Sequence, residues 1–245
     1  MPSTPRTATT SPCGSGCSRA SRRSPRWGVP DSSATVTAPG RNVVATDADS
    51  ALFTGEHLAV RASAPGTYTT RLNRGRTVTT TVPSLPATVT PARWQLDVED
   101  WRPDPTPNRT ERVDVSLTLD TLLPWSNIPE LADSAGIGRY RTTLDLPSDW
   151  SPSHGAHLEL GKVSDTCRIT VNGTPLPPVN RLNPVIDLGP GLLRRGANLI
   201  EVEVAIPLIN RLRVAQPAVF GAVARQDHGL IGPVRLTPYL QTDVS

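Results

Sequence analysis

Apolar and polar residues alternate one for one along much of this chain, and the alternation comes in short bursts. Leu96 and Val98 alternate with Gln95, Asp97 and Glu99, and Val113, Val115, Leu117 and Leu119 alternate with Asp114, Ser116 and Thr118. A period of two places one set on each face of an extended strand, so both stretches predict half-buried strands. Tyr140, Thr142, Leu144 and Leu146 predict another, stopped by Pro147, and Ala156, Leu158 and Leu160 the next, stopped by Gly161. Cys167 to Val171 runs into Asn172-Gly173, two residues that tolerate the positive φ of a type I′ hairpin turn. Ile200, Val202 and Val204 alternate with Glu201 and Glu203 directly after the turn residues Gly196-Ala197-Asn198. Trp125 to Ala132 predicts one short helical stretch, with Pro129 near its start. Repeated short strands with turn punctuation predict an all-β sandwich or jelly roll.

Upstream the pattern is thinner. Leu58 and Val60 alternate between His57 and Arg61, and Thr67–Leu72 and Thr77–Val82 flank Asn73-Arg74-Gly75-Arg76 as a hairpin. This stretch is too short for a full sandwich, so residues 33–90 read as a partial β domain whose beginning is missing, ending in the Pro83–Ala87 linker. Residues 91–242 hold the main β domain. Residues 1–32 are a Ser/Thr/Pro/Arg/Gly mixture without periodic apolar positions, expected to be disordered because so little apolar surface cannot offset ordering entropy.

Composition sharpens this picture. Twenty-six prolines in 245 residues argue against long helices. The pI near 9.0 suggests a nucleic-acid partner until the charge is located. Arg6, Arg19, Arg22, Arg23 and Arg26 fall within the first 30 residues, which hold no acid, leaving 20 basic against 22 acidic residues in the rest. A mildly acidic body with no basic recognition helix excludes nucleic acid as the expected partner. No apolar run is long enough to span a membrane, and the N-terminus lacks the apolar core of a signal peptide, so the chain as written carries no export address. Cys13, Cys17 and Cys167 imply no disulfide framework or zinc site, and Cys167 reads as a small core residue on the face of Ile169 and Val171.

Several of these segments carry a family likeness. Gly138-Arg139-Tyr140-Arg141, Leu158-Glu159-Leu160-Gly161, Val171-Asn172-Gly173 and Gly196-Ala197-Asn198-Leu199-Ile200-Glu201-Val202 occur in order. Together they resemble the sugar-binding, galactose-binding-like jelly roll of family 2 glycoside hydrolases. With Trp94–Trp101, Leu123-Pro124-Trp125-Ser126, Gly136-Ile137-Gly138, Asn210-Arg211-Leu212 and Gly229-Leu230-Ile231-Gly232-Pro233-Val234, the chain more narrowly resembles the C-terminal region of large bacterial alpha-L-rhamnosidases of glycoside hydrolase family 106, over roughly residues 33–242. The resemblance implies a multidomain, extracellular parent with a barrel-like catalytic domain upstream. Residues 1–32 stand where that barrel is expected, so the reading is a non-catalytic fragment.

Glycoside hydrolysis needs two carboxyl groups about 5–9 Å apart, one with a raised pKa. Asp97, Glu99 and Asp100 are the densest acidic group, but Asp97 and Glu99 alternate onto a solvent face, as do Glu201 and Glu203. His154 and His157 lie in a predicted surface turn, and no nucleophile elbow or phosphate loop occurs. Sugar contact requires an aromatic face for the apolar side of a ring and planar polar partners for its hydroxyls. Trp125, Asn127, Trp150, Asn180, Asn183, Asn210 and Arg211 are the candidates of that chemistry near predicted loops. Jelly rolls of this type can hold a structural calcium, for which Asp165 and Asp187 are the candidates. The favoured function is an accessory module whose partners are a carbohydrate or the parent's catalytic domain, and the alternative is an independent lectin-like protein.

Overall fold

The computed structural model describes residues 42–54 and 57–244. The expected tail over residues 1–32, with Cys13 and Cys17, lies outside them. In chain order the elements are β1 (Val43–Thr46), β2 (Ser50–Thr54), β3 (His57–Ala62), β4 (Gly66–Leu72), β5 (Thr77–Val82), β6 (Trp94–Pro103), β7 (Thr110–Leu119), β8 (Gly136–Leu146), β9 (His154–Glu159), β10 (Lys162–Ser164), β11 (Thr166–Val171), β12 (Thr174–Pro175), β13 (Val185–Leu188), β14 (Gly196–Ile206), α1 (Ile209–Ala215), α2 (Pro217–Phe220), β15 (Gly229–Gly232) and β16 (Arg235–Val244). One sheet has six strands in the order β12-β11-β14-β8-β6-β7, and a second has five in the order β13-β9-β16-β3-β2. The all-β sandwich expected from the alternation is therefore the fold.

The register explains why the alternation works. Val202 pairs with Tyr140 and Ile200 with Thr142, while Leu96 pairs with Tyr140 from the other side. These residues share one face of the six-stranded sheet and enter a single core with Leu158 of β9, Leu188 of β13 and Leu236 of β16. Each such aliphatic side chain contributes about 1.5–3 kcal/mol by leaving water. On β7, Val115, Leu117 and Leu119 are only half-buried, because β7 is the edge of its sheet.

The N-terminal strands have a core of their own, in which Leu58, Val60 and Leu72 pack with Val43, Phe53, Val78 and Val244. β16 is shared between the two cores. Its Arg235–Leu240 half pairs with β9, and its Leu240–Val244 half pairs with β3. The N-terminal strands thus take a strand from the far end of the chain, and the five-stranded sheet runs past both cores without a break. Arg61 reinforces the join: its Nη1 donates to Asp187 Oδ2 at 2.7 Å, and its guanidinium lies 5.0 Å from the Tyr239 ring centroid.

The segments that carry the family likeness meet at two points in the interior. Trp125 is fully buried, and its indole N–H donates to the Tyr140 hydroxyl at 2.6 Å, which also accepts the Leu230 N–H at 3.1 Å. Gly138 lies against the same ring, where an added Cβ would collide with Trp125 Cζ2. The second meeting point is a pair of asparagines. Asn172 Nδ2 donates to Asn198 Oδ1 at 2.9 Å, while buried Asn198 donates to the carbonyls of Arg194 and Gly196 and accepts the Arg194 N–H. Asn172 and Gly173 have φ of 51° and 80°, the two-residue turn that the sequence predicts between β11 and β12.

Two expectations need correction. Trp125–Asn127 forms only a single 3-10 turn, and Ile128 is already extended (φ −103°, ψ 112°). The ring of Pro129 disfavours the helical region for the residue before it, which ends the helix there. Conversely, Asn210 and Arg211, expected near a loop, lie in α1, which α2 follows.

Candidate functional site

The structure separates the seven expected sugar-contact residues into two groups. Trp125 and Trp150 are fully buried, so neither presents a ring face to a sugar. Trp150 packs against His154 with ring centroids 5.3 Å apart, and its carbonyl accepts from Arg195 Nε at 2.7 Å. Asn210 is also buried, and its amide group clips the Gln226 backbone, donating to the carbonyl at 2.8 Å and accepting the N–H at 2.9 Å. Arg211 Nη2 reaches both oxygens of Asp100, at 2.8 and 2.7 Å. These four hold the fold, because an aromatic ring or an amide is as useful inside a sandwich as in a binding site.

Asn127, Asn180 and Asn183 are exposed. Asn127 stands apart, in the turn after Trp125. Asn180 and Asn183 share the connection from β12 to β13, where Asn180 Oδ1 accepts the Leu182 N–H at 3.0 Å and the Asn180 carbonyl accepts the Asn183 N–H at 3.1 Å. The structure brings these two together in one exposed loop.

The two expected calcium ligands lie in different places. Asp187 accepts from Arg61 and from the Tyr239 hydroxyl, the latter at 2.6 Å. Burial pushes its carboxyl up, but those two hydrogen bonds together with the charges of Arg61 and His157 outweigh burial and hold it below the usual carboxylate range. Asp165, at φ 80°, faces His228 Nδ1 at 3.0 Å. Among the described residues no group of three or more His, Cys, Asp or Glu side chains gathers to hold a metal ion.

Of the acids considered for catalysis, Asp97, Glu201 and Glu203 project from the outer face of the six-stranded sheet into a cross-strand ladder. Arg141 bridges Asp97 at 2.6 Å and Glu201 at 3.1 Å, and Arg139 meets Glu203 at 3.0 Å. Glu99 accepts from the Trp101 indole at 2.8 Å. Asp100 turns inward and is fully buried. Burial raises its pKa, but hydrogen bonds from Arg102, Arg211 and the Ala135 N–H, with the charge of Arg211, together reverse the sign and hold it low. A general acid must be protonated when it acts, and Asp100 and Asp187 are both biased to the ionised form. His154, expected on a surface loop, is buried. Burial lowers its pKa against the opposing pull of Asp149, and its Nδ1 accepts the Ser151 N–H at 2.8 Å.

One concavity comes from residues that the sequence does not single out. A groove of about 690 Å³ runs beside β11, lined by Ile137, Ile169, Leu176, Pro177, Pro178 and Val179, with Arg168 and Arg181 at its sides. The run Pro175-Leu176-Pro177-Pro178 was the available signal: beyond Leu176, Pro177 and Pro178 offer no N–H to extend the ladder, so the chain leaves β11 there. A second cleft of about 490 Å³ lies between Thr90–Ala92, Asp120–Leu122 and Ile231–Val234, with Trp94 as a mostly covered floor.

These elements define the class: an antiparallel β-sandwich whose last strand also serves a smaller N-terminal β unit. No family model and no curated protein matches the chain. Among solved structures, a rhamnosidase from Novosphingobium sp. PP1Y shares the fold, with a TM-score of 0.50 and 18% identity over 82% of this chain and 25% of that one. An FMN-binding beta-glucuronidase from Facaelibacterium prausnitzii L2-6 is similar at TM-score 0.40 and 18% identity over 62% of this chain and 22% of that one. A GH2 beta-galacturonidase from Eisenbergiella tayi gives 0.39 and 16% over 64% and 24%. The chain spans about a quarter of the length of each.

Proposed function

We propose that this chain is a structural accessory module of a glycoside hydrolase of the rhamnosidase type, bracing a catalytic domain and doing no hydrolysis itself. The observation that carries the reading is the fold correspondence with the Novosphingobium rhamnosidase, which takes in 82% of this chain but only 25% of that enzyme. The surface supports it. Leu208, Val214 and Val219, all on the helical excursion between β14 and β15, are 47%, 55% and 70% exposed, as expected of a surface that packs on another domain. The binding alternative would need a concave site with open aromatic faces; Trp94, Trp125 and Trp150 are covered, and half-buried Trp101 donates its indole N–H to Glu99 and lines neither cleft.

A glycan array probed with the purified chain separates the two readings. The accessory reading expects no saturable binding to rhamnose-containing or other glycans. Saturable binding that is lost on replacing Asn180 and Asn183 by alanine would establish the lectin-like alternative instead.

A further inference from the structure

The groove beside β11 has an unpaired strand edge as one of its walls. On its outer side β11 is covered by β12 only at Thr170 and Val171, and the Ile169 carbonyl accepts the Leu176 N–H at 2.9 Å. Beyond that point, among the described residues, no strand lies beside Thr166–Arg168 on that side. Alternate residues of a strand direct their backbone groups to the same side. Cys167 therefore presents its N–H and C=O toward the groove, as Ile169 and Val171 present theirs toward β12. The opposite wall is the Pro175–Val179 arm, whose three prolines have no N–H to offer that edge.

The remaining lining is mostly apolar, with Thr166 and Thr170, two arginines and one carboxylate, Glu203, whose charge Arg139 already meets at 3.0 Å. Arg168 has an 89% exposed side chain, and its sole ion pair among the described residues is a 3.7 Å contact to Glu203, which is already engaged by Arg139. Arg181 is exposed and forms no ion pair among the described residues. No aromatic ring lines the groove, so nothing there suits a sugar face. The chain's own first 41 residues hold six arginines and one aspartate, a charge that two rim arginines repel.

We propose that this groove is a docking site for an extended acidic peptide segment of a partner protein. The segment adds as a strand along Thr166–Arg168, exchanges backbone hydrogen bonds with Cys167, sets alternate apolar side chains against Leu176, Pro178 and Val179, and places carboxylates beside Arg168 and Arg181. Strand addition of this kind draws its affinity from the main chain and its specificity from the alternate side chains.

Panning a random heptapeptide phage library on the full chain, followed by anisotropy titration of the enriched peptides, tests the proposal. Enriched sequences should alternate Asp or Glu with apolar residues and lack proline. The double substitution Arg168→Glu and Arg181→Glu, both at exposed side chains, should weaken their binding about tenfold or more while leaving the circular dichroism spectrum unchanged. Methylating alternate peptide amides should abolish it. Basic enriched sequences, no enrichment, or affinities indifferent to the double substitution would overturn the proposal. Sedimentation showing a dimer that the double substitution dissociates would overturn it in favour of a second copy of this chain.

Discussion

Replacing Tyr140 by phenylalanine is expected to destabilise the fold by about 2–4 kcal/mol, a large effect for the loss of one oxygen atom. Phenylalanine keeps the ring that packs in the core, so no cavity opens. The Tyr140 oxygen, however, is acceptor to two buried donors, the Trp125 indole and the Leu230 N–H. Water cannot replace it, because Trp125, Tyr140 and Leu230 are all fully buried. Each orphaned donor costs its own desolvation, about 1–3 kcal/mol. Burial pushes the Tyr140 phenol up to about 12, so the side chain acts as a neutral hydroxyl throughout the accessible pH range. Urea titration reads the effect directly, and an unchanged midpoint would mean that the Trp125 cluster does not hold the sandwich together.

Asp100→Ala is expected to cost about 3–5 kcal/mol, because here the orphaned donors include charged groups. The substitution removes a buried acceptor and strands its cations and donor. Arg211, with a side chain only 18% exposed, loses both of its Asp100 contacts, and the Ala135 N–H loses its acceptor at 3.1 Å. The pH dependence gives a second readout. Asp100 is held below its unfolded value of about 3.9, so its contribution is fully present above that pH and is lost as pH falls through the lower folded value. Wild-type stability should therefore fall more steeply than that of the variant on titration from about pH 4 downward. Parallel curves would show that the carboxylate is not favoured by folding.

Local chemistry made much of the fold legible before any coordinates. The Asn172-Gly173 turn needs only two residues able to take positive φ, and the strands on either side need only a period of two. Long-range pairing was not legible. Nothing in Leu240–Val244 announces that it leaves β9 and joins β3, because both halves of β16 carry ordinary strand residues and the partner lies about 180 residues away, as the Arg61–Gln241 hydrogen bond shows.

The candidate site was harder to read for a related reason. Trp125, Trp150, Asn210 and Arg211 have the chemistry of sugar contacts, yet the same donors and rings serve the interior, and sequence does not reveal which side of the sheet a loop residue folds toward. Asn180 and Asn183 are where an exposed loop was expected. The groove walls come from four separate segments, around Ile137, Cys167, Leu176 and Glu203, so it exists only once β8, β11 and β14 are in register.

Turnover tests most directly whether this chain is an accessory module without hydrolytic activity. The purified chain is incubated with an aryl alpha-L-rhamnoside and release of the phenol is followed at several pH values. An accessory module should give no release above a heat-denatured control at any pH. Release that is abolished by a single carboxylate-to-amide substitution, such as Asp97→Asn or Glu201→Gln, would contradict it and place an active site within these residues.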